Sequence, residues 1–145
     1  MKEILLVVDD SKIVRNLIKS AIGEDYEIKE AENGNEALQI VVDNMDRNIV
    51  GMLLDLNMPE SDGFYVLEYF KNYGLFKQVP VAIISGEDTK VGIEKTFEYN
   101  IVDMLNKPFT KGDVKNVVNR LKNFKIESWV YLNFLIYFLK NFQKL

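Results

Sequence analysis

Residues 49–59 read Ile-Val-Gly-Met-Leu-Leu-Asp-Leu-Asn-Met-Pro. The run from Ile49 to Leu54 is apolar throughout and has the length of a strand. A strand with no polar face is buried on both sides, which places it centrally in a parallel sheet. It stops at Asp55, and a carboxylate at the end of a buried strand is either paired or reactive, because taking its charge out of water unaided is costly. A helix-capping or solvated loop aspartate is the plainer alternative. Pro59 and Asp62-Gly63 close the segment as turn signals.

The same grammar recurs on either side. Ile4 to Val8 is a second continuous apolar run, followed by Asp9-Asp10, and Ile101 to Leu105 is a third, followed by Lys107. Pro80 to Ser85 reads as another buried strand, and Tyr26 to Ala31, which alternates apolar and charged residues, as an edge strand with one wet face. Helical spacing fills the intervals. Ile13, Val14, Leu17, Ile18, Ala21 and Ile22 recur until Gly23, Ala37, Leu38, Val41 and Val42 follow an Asn33 cap, and Phe64, Leu67 and Phe70 run up to Gly74. A more polar helix is expected from about Asp88 to Tyr99, and Thr110 caps a fifth, with Val114, Val117, Val118 and Leu121 on one face. Five strands alternating with five helices predict an α/β fold, a doubly wound parallel sheet with helices on both faces. Ligands of such sheets bind beyond the carboxyl ends of the strands. Asp9, Asp10, Asp55 and Lys107 all fall at that edge.

Composition removes several chemistries. The 145 residues include no cysteine and no histidine, so disulfides, thiol catalysis, Ser-His triads and a phosphohistidine within the chain are excluded. A net charge of −4 with both signs interspersed argues against direct nucleic-acid binding. Met1-Lys2-Glu3 leads straight into a strand without the pattern of a signal peptide, so a cytoplasmic setting is expected.

Two adjacent carboxylates at a strand end are tolerable mainly when a cation neutralises them, although acids also favour the start of a helix. A third carboxylate converging on the pair, from Asp55, favours the metal. Lys107 precedes Pro108, which biases it toward extended backbone, and an ammonium reaching across the strand ends suits a phosphoryl oxygen. Ser85 offers a hydroxyl at the end of the fourth strand, and Gly86 offers space and a backbone N–H.

These residues resemble the receiver domains of two-component response regulators. The likeness covers about residues 2–122 and rests on Asp9-Asp10, Ala31-Glu32-Asn33-Gly34 with Glu36-Ala37-Leu38, Asp55 to Pro59 with Asp62-Gly63, Ser85-Gly86, and Lys107-Pro108-Phe109. It implies a flavodoxin-like sheet in the order 2-1-3-4-5. It further implies that Asp55 takes a phosphoryl group from a phosphohistidine on a sensor histidine kinase or a histidine phosphotransfer protein. Asp10, Asp9, Asp55 and the backbone carbonyl of Asn57 would hold Mg2+ or Mn2+, and Ser85 and Lys107 would bind the phosphoryl oxygens. Such a protein is not a conventional enzyme and signals through its fourth helix, fifth strand and fifth helix, to a downstream protein target or a homodimer. The chain departs from the family at Met104, where a Tyr or Phe usually turns inward. Asn57 and Glu87 occupy the positions that influence acyl-phosphate lifetime, and their pairing, shared with chemotaxis-type regulators, predicts a short-lived phosphoryl group.

A haloacid dehalogenase-type phosphatase also uses an aspartyl nucleophile and Mg2+, but requires an acid two residues later, where this chain has Asn57. A phosphate-independent interaction module on the same scaffold is the other rival. Residues 1–122 form the expected receiver and 123–145 an apolar helical extension. Trp129 to Leu139 is apolar nearly all round and shorter than the ~20 residues of a membrane span. It is expected to fold back on the domain, to make a dimer contact or to be the stub of an output domain, with membrane contact less favoured.

Overall fold

The apolar runs are five parallel strands in the spatial order β2-β1-β3-β4-β5, where β1 is Ile4–Val8, β2 Glu27–Ala31, β3 Ile49–Asp55, β4 Val81–Ser85 and β5 Asp103–Asn106. A computed structural model describes residues 1–58, 63–86 and 94–144. Between the strands lie α1 (Lys12–Ile22), α2 (Gly34–Asp43), α3 (Gly63–Tyr73) and a helical turn at residues 94–96 (α4). After β5 comes α5 (Lys111–Asn141), closed by a 3-10 turn at Phe142–Lys144. This is the flavodoxin-like arrangement expected, with the winding reversing between β1 and β3.

β1, β3 and β4 are buried throughout, without alternation, because successive side chains enter two different cores. Ile4, Leu6, Val8, Met52, Leu54 and Ile83 pack with α2 and α3 around Leu38, Leu67 and Phe70. Leu5, Val7, Leu53, Ala82 and Ile84 pack with α1 and α5 around Ile18, Val114, Val118 and Leu121. At the helix starts, Ser11 accepts from the Val14 N–H at 3.4 Å and Asn33 from the Glu36 N–H at 2.9 Å. Thr110 and Asp113 form a reciprocal capping box, with bonds of 2.8 and 3.1 Å.

Three expectations change. The fifth strand begins at Asp103 rather than Ile101, although the Val102 N–H still reaches the Val81 carbonyl at 2.8 Å. β5 is an edge strand, half-buried at its start, where the Asp103 carboxylate accepts from the Met104 N–H. In α1 the buried face is Arg15, Ile18, Ala21 and Ile22, whereas Ile13 and Leu17 are 74% and 52% exposed. The third is the fold-back, one of the courses open to the extension, which it does not take beyond Lys125: the large apolar side chains from Ile126 to Phe142 are exposed.

α5 continues unbroken through residue 122. Its 31 residues make a rod of about 46 Å at 1.5 Å per residue, while among the described residues no strand exceeds seven. Val114, Val117, Val118 and Leu121 are buried on the sheet; beyond them Trp129, Phe134 and Tyr137 are 59%, 65% and 68% exposed. Two contacts fix the point of departure. Lys122 pairs with Glu3 at 3.1 Å, and the Lys125 ammonium donates to Asn48 Oδ1 at 2.8 Å and the Ile49 carbonyl at 2.7 Å. Between this root and the amino-terminal end of the sheet lies a hollow of about 770 Å3, lined by Ile49, Val50, Val79, Ile126, Trp129 and Val130 among others.

Candidate functional site

Strand register brings the site together. Val8 is level with Leu54, Asp55 with Ile84, and Ser85 with Asn106, so β1, β3, β4 and β5 end at one edge. Beyond it Asp9, Asp10 and Asp55 each present a carboxylate oxygen, all within 4.8 Å of one another. Asp9 and Asp55 are buried, and Asp10 is exposed.

Each buried carboxylate has one oxygen tied to its own loop. Asp9 Oδ1 accepts the Ser11 N–H at 2.8 Å, and Asp55 Oδ1 accepts the Asn57 N–H at 3.0 Å. The second Asp9 oxygen, Oδ2, is buried without a hydrogen-bond partner, with Lys107 Nζ 3.5 Å away, long for a charge-assisted hydrogen bond. Burial raises the Asp9 pKa, opposed by the Ser11 N–H and Lys107. Burial also pushes Asp55 up to about 6, with the charges of Asp9 and Asp10 adding to it and the Asn57 N–H and Lys107 opposing. Three carboxylates with an orphaned buried oxygen are a donor set suited to a hard divalent cation.

Lys107 reaches this edge because its N–H bonds the Ser85 carbonyl at 2.7 Å, holding the β5 end to β4; the Lys107-Pro108 peptide is cis. Ser85 is buried at the end of β4. Gly86 lies beside the lysine stem, where an added Cβ would stand 3.7 Å from Lys107 Cδ. Asn57 is exposed, and Met104 is half-buried against the α2/α3 core. Glu87, Pro59, Asp62 and Asp88 lie outside the described residues.

The family model of the response regulator receiver domain matches residues 5–119. The chain belongs to that family. A two-component response regulator from rice, ORR3, is 31% identical over 118 residues, covering 81% of this chain and 88% of the relative. The transcriptional regulatory protein SrrA of Staphylococcus aureus is 31% identical over 133 residues, and the match spans 88% of this chain but 53% of SrrA. Among solved structures, the receiver domain of AraT, a response regulator from Geobacillus stearothermophilus, superposes with a TM-score of 0.74 at 27% identity, over 88% of this chain and 97% of that one.

Two residues of this receiver's site escaped the sequence reading. Arg15 is buried, donating from Nη1 to the Asp9 carbonyl at 2.6 Å and from Nε to Glu30 at 3.1 Å, so α1 holds the loop that carries the acidic pair. Its signal was phase: Arg15 shares a helical face with Ile18 and Ile22. Gly63, read as a turn residue and as part of the receiver motif but given no role, starts α3 against the Asp55 backbone, and a Cβ there would lie 2.6 Å from the Asp55 carbonyl oxygen.

Proposed function

We propose that this receiver takes a phosphoryl group onto Asp55 from a phosphohistidine on a sensor kinase or a histidine phosphotransfer protein. An Asp55 carboxylate oxygen attacks phosphorus, the P–N bond breaks, and the imidazole nitrogen leaves with the electron pair and is protonated. The product is an acyl phosphate. Asp9, Asp10, Asp55 and the Asn57 carbonyl hold Mg2+ or Mn2+, which when bound offsets the charge of the carboxylates and the incoming phosphoryl oxygens. Lys107 adds a positive charge on the same edge, and Ser85 donates its hydroxyl to a phosphoryl oxygen. The carrying observation is the convergence of three carboxylates, one with an unpartnered buried oxygen, beside Lys107.

On this reading the protein is a signalling acceptor in the cytoplasm rather than a conventional enzyme. Arrival of the phosphoryl group draws Ser85 toward it, and Met104, half-buried next to that strand, follows to alter the α4, β5 and α5 surface seen by a downstream protein. Asn57 and Glu87 keep the acyl phosphate short-lived, so its decay slows when Asn57→Ala is made.

Incubation with acetyl phosphate and Mg2+, followed by intact mass, tests the reading. One added phosphoryl group is expected, lost in Asp55→Asn and with a chelator. An unmodified wild-type chain would favour a phosphate-independent module, and steady turnover of a phosphomonoester would favour a phosphatase.

A further inference from the structure

Where α5 leaves the sheet, one stripe of it borders the hollow of about 770 Å3 at the amino-terminal end of the strands. Lys122, Lys125, Ile126, Trp129 and Val130 line that hollow, and their spacing of three and four residues puts them on one helical face. The stripe changes character along its length. It is cationic at the root, in Lys122 and Lys125, and apolar beyond. Ile49 and Val79, buried at or just before the starts of β3 and β4, belong to the same lining. The volume falls within the ~300–1,000 Å3 of small-molecule sites, which combine apolar walls with a few placed polar groups.

The charges of this lining do not cancel. Glu3 is taken up by Lys122 at 3.1 Å and by the Asn48 side-chain amide at 2.7 Å, and Arg47 by Glu27 at 2.5 Å. Among the described residues Lys125 has no ion-pair partner. Its half-buried ammonium donates to two neutral oxygens, Asn48 Oδ1 and the Ile49 carbonyl, which leaves one of its three protons. Burial lowers the Lys125 pKa, with the Glu3 charge opposing, so the site holds a cation at a cost that an anion beside it would offset.

We infer that the hollow binds an amphiphilic monocarboxylate, its carboxylate on the Lys125 ammonium and its apolar body among Ile126, Trp129, Val130, Ile49 and Val79. One uncompensated cation suits a single negative charge, where a phosphate monoester would bring about two. The hollow is at the opposite end of the strands from Asp55, so the inference is independent of phosphoryl transfer.

Trp129 is the single tryptophan of the chain, so its emission reports occupancy of the hollow. The test titrates the whole chain with decanoate below its aggregation concentration, and with decyltrimethylammonium, an amphiphile of similar length and opposite charge. Saturable one-to-one binding of decanoate is expected in wild type and in Asp55→Asn. It should weaken roughly tenfold or more in Lys125→Met and in Val130→Glu, and decyltrimethylammonium should bind wild type no better than decanoate binds those variants. Val130 is 64% exposed, so Val130→Glu should keep the circular dichroism of wild type and lose binding without a folding defect. Leu132→Glu, on a part of α5 that does not line the hollow, is expected to bind as wild type does. The inference is overturned by the absence of a saturable response, by equal affinity for the two amphiphiles, or by a loss in Leu132→Glu as large as in Val130→Glu. A response seen only with phosphatidylglycerol vesicles would overturn it too, assigning the stripe to a lipid surface.

Discussion

Asp55 ends a strand whose seven residues are all buried, and its carboxyl group is held near pKa 6 instead of the ordinary 3.8 mainly by that burial. Because the folded protein binds this proton more tightly than the unfolded chain, the stabilisation is complete below about pH 3.8 and lost as pH rises through about 6. The Asp55 contribution to metal-free stability should therefore fall by ~1–3 kcal/mol between pH 4 and pH 7. Glu27 and Glu30, held below their usual range by Arg47 and Arg15, work in the opposite sense, so the contrast is best read as wild type minus Asp55→Asn in urea titrations. Asp55→Asn is expected to be more stable at pH 7, with a flatter pH profile, and saturating Mg2+ should narrow the gap. Arg15 makes a second residue-scale prediction. Arg15→Met removes the donor to the Asp9 carbonyl and leaves Glu30 only the exposed Lys19 ammonium, which should cost ~2–3 kcal/mol. It should also weaken Mg2+ binding several-fold by calorimetry, because the acidic loop loses its tether.

Elements carry the site by where they begin and end. α3 starts so close to the Asp55 backbone that Gly63→Val must displace the β3 end, and a loss of ~2–4 kcal/mol together with slower acetyl phosphate labelling is expected. Thr110→Ala removes half of a capping box on exposed ground and should cost only ~1 kcal/mol, read as a small shift in the urea midpoint. Strands were legible in the sequence because burial on both faces leaves continuous apolar runs, and Asp9, Asp10, Asp55 and Lys107 were legible because charges interrupt those runs. The late start of β5 was not, since Ile101 and Val102 have strand-like side chains and only edge pairing limits them. Nor was the face of α1 legible. Ile13 and Leu17 look like core, but the face turned inward is the opposite one, with Arg15, whose burial depends on acceptors from the loop after β1 and from β2.

The whole molecule is two apolar cores divided by one sheet, with a single helix belonging both to one core and to the extension. Leu121 is fully buried where α5 crosses the sheet, so Leu121→Ala should cost ~2–5 kcal/mol. The sequence left the course of the extension open among a fold-back, a dimer contact and an output-domain stub, because an all-round apolar segment does not say which surface it meets.

α5 starts four residues after Lys107 and is clamped on the sheet as far as Leu121 and Lys125. A stiff rod held there is a lever with unequal arms, about 15 Å from Lys111 to Leu121 and about 30 Å from Leu121 to Asn141 at the rise of a helix. A small tilt about that fulcrum carries the far tip roughly twice as far as the near end, in the opposite direction. Any tilt imposed on α5 beside the carboxylates would therefore be larger at Phe138 and Asn141 than at Lys111.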